Sequence, residues 1–359
     1  MQTINVNLGA DSYEIRIGRG LLRKAGGWLK KMGYSGQAVI IADSIVKPLY
    51  ADVVQKGLAE AGFDVTVLEI PAGEQFKNLQ SAGRLYRALN EIGAERATLI
   101  LALGGGVTGD LAGFVAATYR RGVPYVQLPT TLLAMTDSAV GGKTAIDHAR
   151  VKNLAGAFYQ PKLVVADIDT LKTLPKVELS NGMAEIIKMA GVYSEPLFDY
   201  LENNMSKAMG MDLAVLERVT VENDRLKAPV VERDEKETGT ERIMLNYGHT
   251  VGHAVEAVSD FALKHGQAVA IGMVAENEIA RRMGYLDSAA AKRMEKVIKA
   301  AGLPARPPAL NIKKVMRAMQ QDKKVLRGRV RFVLLKSIGE AFIAENVEPA
   351  LVEEVLSRG

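Results

Sequence analysis

With 359 residues, 48% of them hydrophobic and 24% charged, the chain has the composition of a globular protein long enough for two ordinary domains. It contains no cysteine, which excludes disulfides, thiolate metal ligands and a cysteine nucleophile. The formal net charge of +5 is mild, only 6% of residues are aromatic and no basic stripe interleaves with them, so nucleic acid is not an expected partner. No apolar run is long enough to cross a bilayer and the first ten residues lack the regions of a signal peptide, so a cytoplasmic protein with no membrane partner is expected.

In chain order, short apolar runs alternate with helical patterns over the first half, at residues 38–42, 65–70, 98–103, 125–128 and 163–167. Such alternation predicts a mostly parallel sheet flanked by helices. Beyond about Leu179 the β-branched runs give way to long helical stretches, such as 213–222 and 268–283, with a hairpin over 330–335 and 341–344. The expected fold is α/β. A mostly parallel-sheet, Rossmann-like dinucleotide-binding domain over 1–176 precedes a largely α-helical metal- and substrate-binding domain over 177–359, the two dividing near Thr173-Leu174-Pro175.

The run over 98–103 leads straight into Gly104-Gly105-Gly106-Val107-Thr108-Gly109-Asp110, ahead of a helical pattern. Its Gly-x-Gly-x-x-Gly spacing lets backbone amides approach a pyrophosphate at a helix N-terminus, although glycine turns after strands are common. The next strand ends in Pro129-Thr130-Thr131, where a ribose-binding acid would be expected. Asp43 and Glu74 are the candidates for that acid, or else ordinary turn residues. Gly142-Lys143-Thr144 ends like a phosphate loop, but the Walker spacing requires glycine at 137, where Asp137 stands, and this disfavours an NTPase. Lys143 with Lys152 and Asn153 makes sense as a clamp on a small anion, the alternative being solvated surface lysines. No acidic residue stands next to Lys152 in the sequence to neutralise it.

Three of the four histidines, His249, His253 and His265, fall within seventeen residues. His249 and His253 are four apart and share a helix face, and Glu185 lies in a helical segment upstream. Two histidines and a glutamate would leave a coordination position open, as a catalytic zinc requires. The protease helix is set aside, because Thr250 follows His249 where that motif carries glutamate. Spacing leaves open whether His253 is a ligand or a proton carrier.

Taken together, Pro71 to Lys77, Gly104 to Gly122, Leu128 to Thr131, Gly141 to Asp147, Lys152-Asn153, Met183 to Lys188, Leu245 to His253, His265-Gly266 and Asp322 to Lys324 resemble the 3-dehydroquinate synthases, a family of sugar phosphate cyclases. The resemblance spans nearly the whole chain. It implies the shikimate-pathway conversion of 3-deoxy-D-arabino-heptulosonate 7-phosphate, a phosphorylated sugar acid, to 3-dehydroquinate and phosphate. It further implies NAD, one divalent metal ion (zinc or cobalt) and a homodimer. The metal would be held by Glu185, His249 and His265, with His253 handling a proton near the substrate. NAD would contact Asp43, Glu74, Gln75, Lys77, Gly105, Gly106, Val107, Thr108, Gly109, Asp110, Thr130, Thr131, Asp137, Lys143, Lys152 and the turn Thr170, Leu171, Lys172, Thr173. Substrate would meet Lys143, Lys152, Asn153, Lys188, Lys227, Arg242, Asn246, His253 and Lys324 (or Lys323), with Arg121 reaching in from a partner subunit.

One departure is Gln267, where family members usually carry glutamate; a neutral neighbour there is expected to alter the electrostatics around a ligand more than the ligation itself. Three rivals remain at this level: another sugar phosphate cyclase such as 2-deoxy-scyllo-inosose synthase, an iron-type NAD-dependent alcohol or glycerol dehydrogenase, and a non-catalytic NAD-binding regulator. A dehydrogenase would not need so many lysines, and a regulator would not need three metal-ligand candidates.

Overall fold

The computed structural model describes residues 1–149, 151–259, 262–307, 311–321, 325–326 and 329–357. The chain divides into two units, Met1–Leu174 and Pro175–Gly359. The first contains β1 (Gln2–Val6), β2 (Tyr13–Gly18), α1 (Ala25–Lys31), β3 (Gln37–Asp43), α2 (Asp52–Glu60), β4 (Asp64–Ile70), α3 (Leu79–Glu91), β5 (Leu99–Gly104), α4 (Gly106–Thr118), β6 (Tyr125–Pro129), β7 (Lys143–His148), β8 (Val151–Phe158) and β9 (Leu163–Asp167). Every residue of β5, β6 and β9 is buried, which is why these strands read as nearly continuous apolar runs, interrupted by Gln127 and ended by Asp167: helices cover both faces of a parallel sheet.

Side chains leave a strand on alternating faces, and the core divides accordingly. Ile40, Leu101 and Leu103 pack with Leu29 of α1 and Val54 and Leu58 of α2. Ile41, Ile100 and Ala102 pack on the other side with Leu85 and Leu89 of α3 and Leu111 and Val115 of α4.

The sheet order is β1-β2-β9-β6-β5-β3-β4. All neighbours are parallel except β1 and β2. The chain passes from β3 outward to β4 and then returns to the other side of β3 as β5. That reversal is a topological switch point, and in open α/β sheets ligands bind beyond the carboxyl ends of the strands flanking it. Here those ends carry Asp43 and the glycine loop. β7 and β8 form a separate antiparallel ribbon, where the sequence suggested only an anion-binding loop.

The second unit contains α5 (Lys176–Tyr193), α6 (Glu195–Met209), α7 (Leu213–Arg233), α8 (His249–Val258), α9 (His265–Arg282), α10 (Ser288–Ala300), α11 (Ile312–Gln321), β10 (Val325–Leu326), β11 (Arg329–Val330), β12 (Phe332–Ser337), β13 (Glu340–Ala344) and α12 (Pro349–Ser357). β12 and β13 form the expected hairpin. α8 and α9 meet backbone to backbone: a Cβ on Gly272 would lie 1.8 Å from the Gly248 carbonyl oxygen and 2.9 Å from the Gly252 nitrogen. No rotamer relieves a clash between backbones. Gly272→Ala is therefore expected to destabilise the protein by about 1–3 kcal/mol, as overpacking does, and to lower the thermal midpoint. An unchanged midpoint in thermal unfolding would show that the two helices have room to separate.

Candidate active site

α5 places Glu185 in an almost wholly buried stretch, leaving that side chain 1% exposed. A carboxylate so placed must be paired. Among the described residues neither of its oxygens receives a hydrogen bond of normal geometry. The Lys188 ammonium lies against Oε2, and His265 Nε2 and His249 Nε2 stand 3.3 and 3.7 Å from Oε1. Donor atoms of Glu185, His249 and His265 all lie within 4.8 Å of one another and could hold a metal ion. His249 Nδ1 lies 3.1 Å from the Tyr247 carbonyl oxygen, which fixes that nitrogen as the protonated one and leaves Nε2 for the cluster. His253 is outside the grouping, but its ring centroid is 5.1 Å from that of His249 and 5.8 Å from that of His265.

Burial alone would raise the Glu185 pKa, but the Lys188 charge and the His265 ring overcome it and hold the group well below the usual carboxylate range. Loss of solvent around His265 opposes its charge, yet Glu185 and Glu256 together raise its pKa to about 9. Glu256 Oε2 is 3.6 Å from His265 Nδ1, and its side chain is 6% exposed. Sequence reading passed over Glu256, although it lies three residues past His253 and seven past His249, the spacing of one helix face. In the same unit, Lys188, Lys227 and Arg242 are 3%, 5% and 2% exposed. The turn leading to Arg242 and the half-buried Asn246 is clasped by Asp234, whose carboxylate accepts hydrogen bonds from the backbone amides of Thr238, Gly239 and Arg242 at 2.9, 3.0 and 3.3 Å. Lys323 and Lys324 lie outside the described residues.

In the first unit, Asp43 Oδ1 accepts the amides of Ile45 and Val46, and Oδ2 accepts the Thr108 hydroxyl at 3.1 Å. Asp43 thereby ties the end of β3 to the glycine loop across the switch point. Gly105 caps α4. Gly109 is needed for packing, since a Cβ there would lie 2.7 Å from Gln127 Oε1 on β6. Thr130 is buried, its amide bonded to the Gly104 carbonyl. The turn at Thr170–Thr173 is held by the Tyr50 hydroxyl, 3.0 Å from the Thr170 carbonyl and 2.6 Å from Thr173 Oγ1. Gln75, Arg121 and Lys143 are exposed, Thr131, Asp137 and Lys152 half-buried. Lys152 does have an acidic neighbour: the β7–β8 turn brings Asp147 within reach of its charge.

Residues 67–181 match the family 3-dehydroquinate synthase N-terminal, and residues 182–325 match 3-dehydroquinate synthase C-terminal. The chain is 46% identical to the 3-dehydroquinate synthase of Desulforamulus reducens, over 100% of both chains. It belongs to the 3-dehydroquinate synthase family. Among solved structures, 2-epi-5-epi-valiolone synthase from Streptomyces hygroscopicus, with NAD+ and Zn2+ bound, superposes with a TM-score of 0.89 at 28% identity, covering 96% of each chain. A 2-deoxy-scyllo-inosose synthase complexed with carbaglucose-6-phosphate, NAD+ and Co2+ gives 0.90 at 25% identity over 100% of each.

Gln267, singled out in the sequence, uses its side chain locally: its Oε1 accepts the Lys264 amide at 3.0 Å and so caps α9. The carboxylates that approach His265 are Glu185, 3.3 Å from Nε2, and Glu256, 3.6 Å from Nδ1. Because Glu185 and Glu256 raise the His265 pKa to about 9, a metal ion bound by this ring would have to displace a proton. Protons and metal compete, so apparent zinc affinity is expected to rise about tenfold per pH unit from pH 7 toward 9, and to be lost in His249→Ala. Titration of chelator-stripped protein checks this, and an affinity that is flat with pH would mean that no protonated His265 has to be displaced on binding.

Proposed function

We propose that the chain converts 3-deoxy-D-arabino-heptulosonate 7-phosphate to 3-dehydroquinate and inorganic phosphate, as an NAD- and metal-dependent cyclase of the shikimate pathway. The observation that carries this reading is the Glu185, His249 and His265 cluster in a chain of this family. Two imidazoles and a carboxylate, borne on three helices with no thiolate available, are a donor set suited to zinc or cobalt with a position left open. When bound, NAD would take a hydride from one substrate hydroxyl and return it after phosphate has left, while the metal would polarise the transient ketone.

The chain's own part is largely electrostatic placement. The α4 N-terminus with Gly105 and Gly106 would receive the dinucleotide pyrophosphate, and Asp43, Glu74, Gln75, Lys77, Val107 to Asp110, Thr130, Thr131, Asp137 and Thr170 to Thr173 are assigned to the same cofactor. Lys143, Lys152 and Asn153 are assigned to the anionic groups of the substrate. In the second unit, Lys188, Lys227, Arg242 and Asn246 are assigned to it as well, together with Lys324. Buried cations act through a low local dielectric and hold a phosphate more firmly than exposed ones. A phosphate so held can take up the neighbouring C–H proton itself, leaving the protein to position it. His253, beside His249 and His265, would hold or pass a proton at its ring.

A second copy of the chain is part of this reading. Among the described residues β8 is paired in a two-stranded sheet with β7, and Val151, Leu154 and Phe158 on it are exposed; exposed apolar side chains on a short ribbon suit an interface with a second copy. Arg121, exposed and with φ of 65°, would serve the partner's substrate. Sedimentation at assay concentration is expected to show a dimer, and a monomer active at that concentration would remove Arg121 from the site.

The decisive assay follows phosphate release with NAD far below the substrate concentration. Many equivalents of phosphate and of dehydroquinate are expected per NAD, without lasting NADH absorbance. Accumulation of NADH one for one with substrate would replace the cyclase with a dehydrogenase, and a different carbocycle would move the chain to another cyclase.

A further inference from the structure

Lys77 lies just before α3, its side chain 5% exposed, and its ammonium touches four acceptors from three separate stretches of chain. They are Asn153 Oδ1 at 2.7 Å, Glu74 Oε1 at 3.1 Å, Asp110 Oδ2 at 3.2 Å and Asp147 Oδ1 at 3.7 Å. An ammonium has three N–H donors and no acceptor, and the three nearer contacts use all of them. Burial opposes the charge on Lys77, but Asp110, Glu74 and Asp147 more than compensate and keep it protonated.

A carboxamide has a donor end and an acceptor end. Facing a donor-only partner, Asn153 must present its oxygen to Lys77, which turns its two Nδ2 hydrogens the other way. The backbone at 153 is held as well. Its φ is 51°, a left-handed conformation that asparagine tolerates better than most residues, and its amide donates to Asp147 Oδ1 at 2.8 Å. The Asp147 amide in turn donates to the Lys77 carbonyl at 2.7 Å, so the β7–β8 turn and Lys77 are joined by main chain and side chain alike.

We propose that Lys77 is a positioning residue for the substrate, fixing the polarity of the Asn153 carboxamide so that it offers N–H donors to an acceptor group such as a carboxylate or phosphate oxygen. This rests on the assignment of Asn153 to the substrate and goes beyond the assignment of Lys77 to the cofactor. Lys77 also grips Asp110 in the glycine loop, so one buried cation sets both the loop and the amide. A lysine that served NAD alone would affect substrate use only through cofactor occupancy.

A double-mutant cycle on kcat/KM for the heptulosonate phosphate, at saturating NAD, separates these roles. Asn153→Ala is expected to lose about ten- to a hundredfold, the range for a hydrogen bond to a charged group. Lys77→Met should lose a similar factor, and the double variant should lose little beyond Asn153→Ala alone, because the amide that Lys77 orients is already gone. Lys77→Gln, which can face the amide in either sense, serves if Lys77→Met is not recovered folded. Additive losses, or a Lys77 variant whose substrate kcat/KM is unchanged at saturating NAD, would overturn the inference. Wild-type kinetics in Asn153→Ala would instead withdraw Asn153 from the substrate, a failure of the underlying assignment.

Discussion

The cluster of Glu185, His249 and His265 depends on three helices meeting at backbone distance. α5 carries Glu185, α8 begins with His249 and α9 begins with His265. Where α9 crosses α5, a Cβ on Gly266 would lie 2.2 Å from the Asn181 carbonyl oxygen, and Asn181 Oδ1 caps the Gly266 amide at 2.5 Å. Where α9 crosses α8, Glu276, which is wholly buried, accepts the Gly248 amide at 2.7 Å. α9 thus holds both neighbours through contacts that have no slack. A side chain at either crossing would separate the helices, and the ligands would separate with them.

That arrangement sets two effects against each other. Both histidines stand at helix N-termini, where the partial positive charge disfavours an imidazolium by roughly 0.3–1 kcal/mol. At His265 the carboxylates prevail, since its pKa stands at about 9 rather than below its ordinary value. The same carboxylates that favour a proton on His265 would favour a metal cation. Lys188, pressed against the other Glu185 oxygen, keeps that carboxylate from being a wholly uncompensated buried charge.

Legibility in the sequence followed burial. Strands covered on both faces, such as β5, β6 and β9, announce themselves as apolar runs. β1 and β2 do not. In β2, Tyr13, Ile15 and Ile17 are buried and alternate with the half-buried Glu14 and Arg16, so the segment has no continuous run to find. β8 is harder still, because exposed and half-buried positions follow one another with none buried. At the site, the histidines and the glycine loop were visible as spacings within a few residues. Glu256 sat at a helical spacing that could have been read. The pairing of Lys77 with Asn153, seventy-six residues apart, could not, because nothing local in either segment records it.

Gln267 shows how a neutral residue two positions from His265 can serve a helix end without adding charge. Its oxygen performs a cap that a glutamate oxygen would perform equally well, so Gln267→Glu is expected to leave the start of α9 in place. What glutamine leaves out is a negative charge at a helix N-terminus, worth roughly 0.3–1 kcal/mol to the helix. Glu256 and Glu185 already supply the carboxylates that face His265. A third would add to the attraction for any cation in the cluster, proton and metal alike, so its absence weakens both competitors in the same direction. Selection between them then rests on the ligand atoms themselves, which glutamine at 267 leaves untouched.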